Sequence, residues 1–244
     1  KRKIISFRIT KFKQDKNIPM KALFTFFLLF AITFVSAQDV VQDSIPVQET
    51  KRQERTKTIT VGPFTGIKLF SGIQVKLIPS NENKLVLAGE NFETVVTTLK
   101  NDVLRIKHSI DQIFNPKNTY IEIYFSSPLD LIHTYQGSIV ESKAVLKATK
   151  IELKAREGSA IDLHIESEKI SSSVNSGATL SLRGVAVNHE LKILGGGICE
   201  SETLLTEQTT VKVTAGGVAY IHASDLLEAT VNVGSLTIPT LLYV

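Results

Sequence analysis

LKILGGGICES (191–201) sets three consecutive glycines between two short apolar runs. Two kinds of chemistry ask for glycines of this sort. A loop that cradles phosphate is one, but it needs a helix to follow and usually a Lys beside a Ser or Thr. The residues that come next, ICESETLL, supply neither. The other is a sharp corner between strands, where glycine adopts positive φ or admits a close backbone neighbour without steric cost. Such a corner recurs here. Small-residue corners stand at Gly137-Ser138, Gly158-Ser159, Gly177-Ala178, Gly196-Gly197, Gly216-Gly217 and Gly234-Ser235, so the first glycine advances by 21, 19, 19, 20 and 18. Near-equal intervals of this length are the mark of a solenoid.

The register around the corners tests this reading. Three positions after the corner glycine stand Val140, Ile161, Leu180, Cys199 and Ala219; three before stand Thr134, Ala155, Val174, Ile193 and Val213; five before stand Ile132, Leu153, Ser172, Leu191 and Val211. Four before, the residues are His133, Lys154, Ser173, Lys192 and Lys212. Mostly apolar residues at odd offsets with polar ones between them are strand alternation on both sides of the corner. Each unit therefore reads as strand, corner, strand and polar connection, and a stack of about 20-residue coils is a parallel β-helix. A Leu-rich repeat would demand a fixed Leu/Asn pattern that is absent. A β-sandwich is the competing fold, since frequent turns mark sandwiches too; the two-strand structure inside each unit favours the helix.

Upstream, IKLFSGIQVKLI, KLVLAG, TVVTTLKNDVLRIKH and TYIEIYF continue the β texture. Asn101-Asp102 reads as a tight hairpin turn, and ENFETVVTTLK as strand rather than helix because of its two Val and three Thr. Further back, MKALFTFFLLFAITFVSAQ has the order of parts of a secretory signal peptide over 20–37, with Val35-Ser36-Ala37 as the cleavage site. Residues 1–19 are read as upstream sequence outside the natural protein, and 38–57 as a flexible linker to one domain over 58–244, with the cornered repeats from about 130 to 238. The whole chain has 28 basic and 24 acidic residues; 1–37 hold 8 and 1 of these, so the remainder has 20 and 23, a net charge of −3. The basic balance thus belongs to the leader and gives no support to nucleic acid as a partner. The mature chain holds no apolar membrane span. Its single cysteine, Cys199, excludes an internal disulfide and falls in an inward column as a small core residue.

A signal peptide, the stretch FTGIKLFSGIQVKLIPS, then NDVLRIKH and then repeated Gly-Ser or Gly-Gly corners after apolar strands resemble the auto-transporter adhesin family with the head GIN domain. The resemblance spans about 59–238. It implies a right-handed β-helix, a secreted or cell-surface protein of Bacteroidetes-type bacteria, and a role in adhesion; it carries over no catalytic residue. The chain departs from the family's polar last strand by ending LTIPTLLYV. Solenoids need caps, so an altered or truncated final coil is expected.

Little in the residues points to catalysis. Four positions after the corner stand Glu141, Asp162, Ser181, Glu200 and Tyr220, which makes Glu141 and Asp162 neighbours on an outer face. A carboxylate pair suits calcium or acid–base work, but Ser181 interrupts the column and no arginine accompanies it. The column of Lys154, Lys192 and Lys212, with His133 at its end, repels itself at strand spacing; contact with an acidic polysaccharide and simple edge protection are both open. The histidines His108, His133, His164, His189 and His222 show no metal spacing and read as surface side chains. No cofactor or metal is expected. The favoured reading is a non-enzymatic, adhesin-like protein that binds glycan or protein ligands through its long faces, with Glu141, Asp162, Glu200, Lys154, Lys192 and Lys212 as candidate contacts. The alternatives are a polysaccharide-degrading enzyme built on Glu141 and Asp162, and an envelope protein that associates with itself as a homo-oligomer.

Overall fold

The computed structural model describes residues 55–89, 91–109 and 119–238, together with the backbone of Ile4–Ile9. The segment read as a signal peptide, most of the linker and residues 239–244 lie outside the described residues. In chain order the strands are β1 (Ile4–Ile9), β2 (Lys57–Thr60), β3 (Gly66–Leu69), β4 (Gln74–Pro79), β5 (Lys84–Gly89), β6 (Val95–Lys100), β7 (Val103–His108), β8 (Thr119–Phe125) and β9 (Leu131–Thr134). There follow β10 (Ile139–Arg156), β11 (Ala160–Asn175), β12 (Thr179–Leu194), β13 (Ile198–Ser201), β14 (Leu204–Ile221) and β15 (Leu226–Thr237). A single turn of 3-10 helix, Phe92–Thr94, precedes β6. Among the described residues no helix is long and apolar enough to cross a membrane.

From β10 onward each strand pairs in parallel with its counterpart one coil later, which makes the fold a parallel β-helix. The coil stack reproduces the columns expected from the corners. Val140, Ile161, Leu180, Cys199 and Ala219 are successive register partners, and so are Ile132, Leu153, Ser172, Leu191 and Val211. All ten are buried. Each fully buried Leu, Ile or Val contributes on the order of 2 kcal/mol, so the odd-offset columns supply the core that holds one coil on the next.

The corners explain the triple glycine. Gly195 and Gly196 adopt φ values of 61° and 75°, a conformation that costs other residues roughly 1–2 kcal/mol. Gly197 turns inward, where an added Cβ would lie 2.8 Å from the Val174 carbonyl oxygen. Other corners use one left-handed non-glycine residue before the glycine, as in Gln136-Gly137 and Glu157-Gly158. At the last corner the left-handed residue is Val233, at φ 55°, and not Gly234. Glycine is needed at 234 for space, because a Cβ would fall 2.6 Å from Val213 Cγ1.

The coil stack also begins earlier than the repeat spacing showed. Ser71 and Gly72 form a further left-handed corner, and Gln74, Val75 and Lys76 pair with Ile139, Val140 and Glu141. The chain then leaves the stack after Pro79 and returns with β8 and β9. The excursion builds the N-terminal end: β5 runs antiparallel between β2 and β8, and β6 and β7 form a hairpin over Asn101 (φ 50°) and Asp102 (φ 57°), the expected tight turn. Two outer faces result. The face after each corner continues from the first half of β10 through β4, β8, β5 and β2; the face before each corner continues from its second half through β9, β3, β7 and β6. At the other end, β1 lies parallel to β15, with Ile4 opposite Leu226.

Candidate binding rows on the outer faces

Register alone sorts the outward side chains into rows that run along the stack. On the face after the corner, the row reads Glu122, Lys76, Glu141, Asp162, Ser181, Glu200, Tyr220. The expected adjacency of Glu141 and Asp162 is present. The expectation that no arginine accompanies them is overturned: Arg183, one coil on and in the adjacent row, donates from Nη1 to Asp162 Oδ1 at 2.6 Å. Lys76 pairs with Glu122 at 3.5 Å, and Ser181 donates to Glu200 at 3.0 Å. Two of the three candidate carboxylates therefore already have partners. Among the described residues no three His, Cys, Asp or Glu side chains gather as a metal site.

On the face before the corner, successive register partners are Arg105, Lys68, His133, Lys154, Ser173, Lys192, Lys212 and Thr230. The row contains no acid and is longer than the repeats suggested, since Arg105 and Lys68 come from the excursion and the first coil. Two residues toward the N-terminus, the next row carries Glu152, Ser171, Glu190, Thr210 and Glu228. Two residues the other way stand Arg156, Asn175 and Leu194. The candidate lysines and the candidate carboxylates thus lie on different sides of the corner, and the structure does not bring them together.

One cluster on the basic row is tightly organised. His133 is buried although its position points outward, and it bonds Glu152 and Tyr135. Burial, with the Lys154 ammonium nearby, holds its imidazole down at about 4, so it is neutral at pH 7. A neutral ring that donates from Nε2 to Glu152 Oε1 (3.2 Å) accepts at Nδ1, where the Tyr135 hydroxyl donates at 3.4 Å. The Lys154 ammonium bonds the same Glu152 carboxylate and, with His133, holds its pKa below the usual range. Tyr135 stacks on Phe70 of the neighbouring coil, with ring centres 4.8 Å apart and planes within 6°, and the Arg105 guanidinium lies 5.4 Å from the Phe70 ring centre. Phe70 and Tyr135 are 65 positions apart (135 − 70) and meet only through the excursion, so spacing along the chain does not reveal the stack.

The histidines correct a second expectation. His108, His133, His189 and His222 are all buried, not on the surface. His189 occupies an inward column between Ile170 and Thr209, bonds the Ser172 hydroxyl at 3.0 Å, and is pushed down to about 4 by burial. His222 Nδ1 accepts the Thr206 amide at 3.3 Å. Cys199 is fully buried as expected, and burial pushes its thiol up to about 12, which removes it as a nucleophile. A concavity of about 320 Å³ beside Pro79, Phe125, Pro128, Leu129 and Leu146 has no carboxylate, imidazole or thiol in its lining.

Known proteins of the same fold share this architecture. Residues 63–237 match the model of the family described as "Putative auto-transporter adhesin, head GIN domain". Among solved structures, a "putative adhesin" from Bacteroides fragilis superposes with a TM-score of 0.66 at 15% identity, covering 77% of this chain and 98% of that one. A "putative adhesin" from Parabacteroides distasonis gives 0.58 at 18% identity, over 77% and 93%. A "Putative lipid binding protein" from the same species gives 0.58 at 13% identity, over 78% and 98%. No curated protein matches.

Proposed function

Because the chain belongs to the family "Putative auto-transporter adhesin, head GIN domain", we propose that it is a non-enzymatic, adhesin-like protein of the cell surface or the extracellular space. It works by contact along its outer faces with glycan or protein ligands. In this reading residues 20–37 are the signal peptide that exports it, and the rows containing Glu141, Asp162 and Glu200 on one face and Lys154, Lys192 and Lys212 on the other are the contact surfaces.

The observation that carries the reading is the sorting of charge. Parallel register repeats each outward position once per coil, about 4.8 Å from the last, so a side-chain type placed in one row becomes a ladder. Ladders suit extended ligands. A hydrolase or lyase needs groups converging on one reacting atom with matched protonation; here Asp162 is held by Arg183 and Glu200 by Ser181.

The test is a binding screen of the purified protein on an array of glycans and extracellular-matrix proteins, with product release followed in the same wells. Saturable binding without cleavage supports the adhesin reading. Cleavage of any glycan that disappears in the Glu141→Ala/Asp162→Ala variant replaces it with an enzyme. No binding across the array counts against it, and light scattering then tests self-association as the remaining role.

A further inference from the structure

We infer that the row from Arg105 to Lys212 is the binding track for a linear acidic polysaccharide lying along the solenoid axis. The inference rests on the adhesin reading and names the ligand class and the face.

Five basic side chains occupy seven successive rungs: Arg105, Lys68, Lys154, Lys192 and Lys212, with His133 and Ser173 between them. Six rung spacings of about 4.8 Å set the outermost two roughly 29 Å apart. Like charges stacked this closely in a sheet oppose folding, so their presence asks for a reason outside the fold. Among the described residues Lys68, Arg105, Lys192 and Lys212 have no carboxylate partner, and neither does Arg156 in the row beside them. The acids of the flanking row are turned to other work: Glu152 holds His133 and Lys154, and Glu190 takes Lys169 at 2.5 Å.

The layout of the rows sets the orientation and the width of the ligand. Because the acids of this face stand in one row and the cations in the next, a chain that crosses the coils meets Glu152 before Lys154, and a chain that follows the axis meets no acid. A planar anionic surface such as a membrane would meet the carboxylates of the Glu152, Glu190 and Glu228 row at the same time and would gain less from the cations. A narrow polymer avoids that row. Single-stranded nucleic acid is narrow too, but it draws affinity from open aromatic faces. Here Phe70 is closed on one side by Tyr135 and attended on its ring by Arg105, so the rings stiffen the cationic end and leave little platform for bases. What remains is a linear polymer with one anionic group per one or two sugars, held by charge-assisted hydrogen bonds to lysine and arginine.

The test titrates the full-length protein with polygalacturonate and heparin oligosaccharides, with a dextran oligomer of equal length as the neutral control and a single-stranded oligodeoxynucleotide as the competing polyanion. Calorimetry at two salt concentrations reads the affinity. The expected result is binding of at least one acidic oligosaccharide, weakened severalfold or more by added salt, with no binding of dextran. Lys192→Ala/Lys212→Ala, two exposed lysines whose loss leaves the core intact, should weaken it at least fivefold. Lys143→Ala/Lys147→Ala, which removes the same charge elsewhere, should change it less than twofold. The inference is overturned if neither acidic oligosaccharide binds, if the two variants weaken binding equally, or if the oligonucleotide binds more tightly than both sugars. Array binding to neutral glycans or proteins, with none to acidic sugars, would remove this inference and leave the adhesin reading standing.

Discussion

Lowering the pH from 7.5 to 5 should cost the fold about 2 kcal/mol through His189 alone. Its ring is fully enclosed in an inward column with Ser172 as its hydrogen-bond partner, and burial pushes it down to about 4. The unfolded chain titrates near the ordinary value of 6.5. A group whose folded pKa is depressed leaves the unfolded state holding more protons between the two values, so stability falls as pH drops through that window. The full difference is worth about 3 kcal/mol, at about 1.4 kcal/mol per pH unit, and more than half of it is lost by pH 5. Urea denaturation of the wild type and of His189→Leu at pH 7.5, 6.5, 5.5 and 5 reads the effect as a difference of slopes. Leucine matches the apolar rungs on that column, so the variant should fold, and whatever it gains or loses at pH 7.5 cancels in the slope. Over the interval the variant should lose less stability than the wild type, by about 2 kcal/mol. Equal losses in the two proteins would refute the argument and return the acid sensitivity to other groups.

Two further outcomes are expected. Gly196→Ala, where nothing lies within 4 Å of the added Cβ but φ is 75°, should cost about 1 kcal/mol, and Gly197→Ala, whose Cβ would meet the Val174 carbonyl oxygen at 2.8 Å, about 1–3 kcal/mol; thermal or urea melts of the two variants check the order. Cys199, with its thiol pushed up to about 12, should not react with a disulfide reagent in the folded protein and should react once in denaturant, as followed by thiolate release.

The coil stack is legible in the sequence because its information repeats. Any one of Val140, Ile161 or Leu180 is an ordinary apolar residue, but three columns held in step around the corners leave one register. The first coil is hidden because the excursion between Pro79 and Thr119 sets the Ser71-Gly72 corner 65 positions before Gly137 (137 − 72) and so breaks the near-20 spacing. The burial of His189 is readable from spacing, although composition alone places it on the surface: it stands seven before Gly196, an odd offset shared with Ile151 and Ile170, and odd offsets face inward. That of His133 is not readable. Its even offset points outward, and its burial comes with contacts to Tyr135 and Glu152 that depend on rotamers, which spacing does not encode. The Asp162–Arg183 pair is hidden for a similar reason. The two residues share neither a row nor a coil, and the bond runs diagonally between rows. The basic row is half visible, because Arg105 and Lys68 join it only through the pairing of β3 with β7 and β9.

The excursion also divides the chain by the order in which it can fold. Between coils, partners are near in sequence: Leu153 and Ser172 are 19 positions apart (172 − 153). At the N-terminal end Ile67 meets Ile132 across 65 positions (132 − 67). Closing the longer loop costs about 1 kcal/mol more by chain entropy, and contacts of high sequence separation form late. A chain emerging N-terminus first therefore presents β2 to β7 before the strands that complete their sheets exist, and those apolar strands must wait for β9 and β10 to arrive. The later coils need no such delay, since each finds its template already in place. The end made first therefore stays open until β9 and β10 are made, whereas each later coil closes on the one before it.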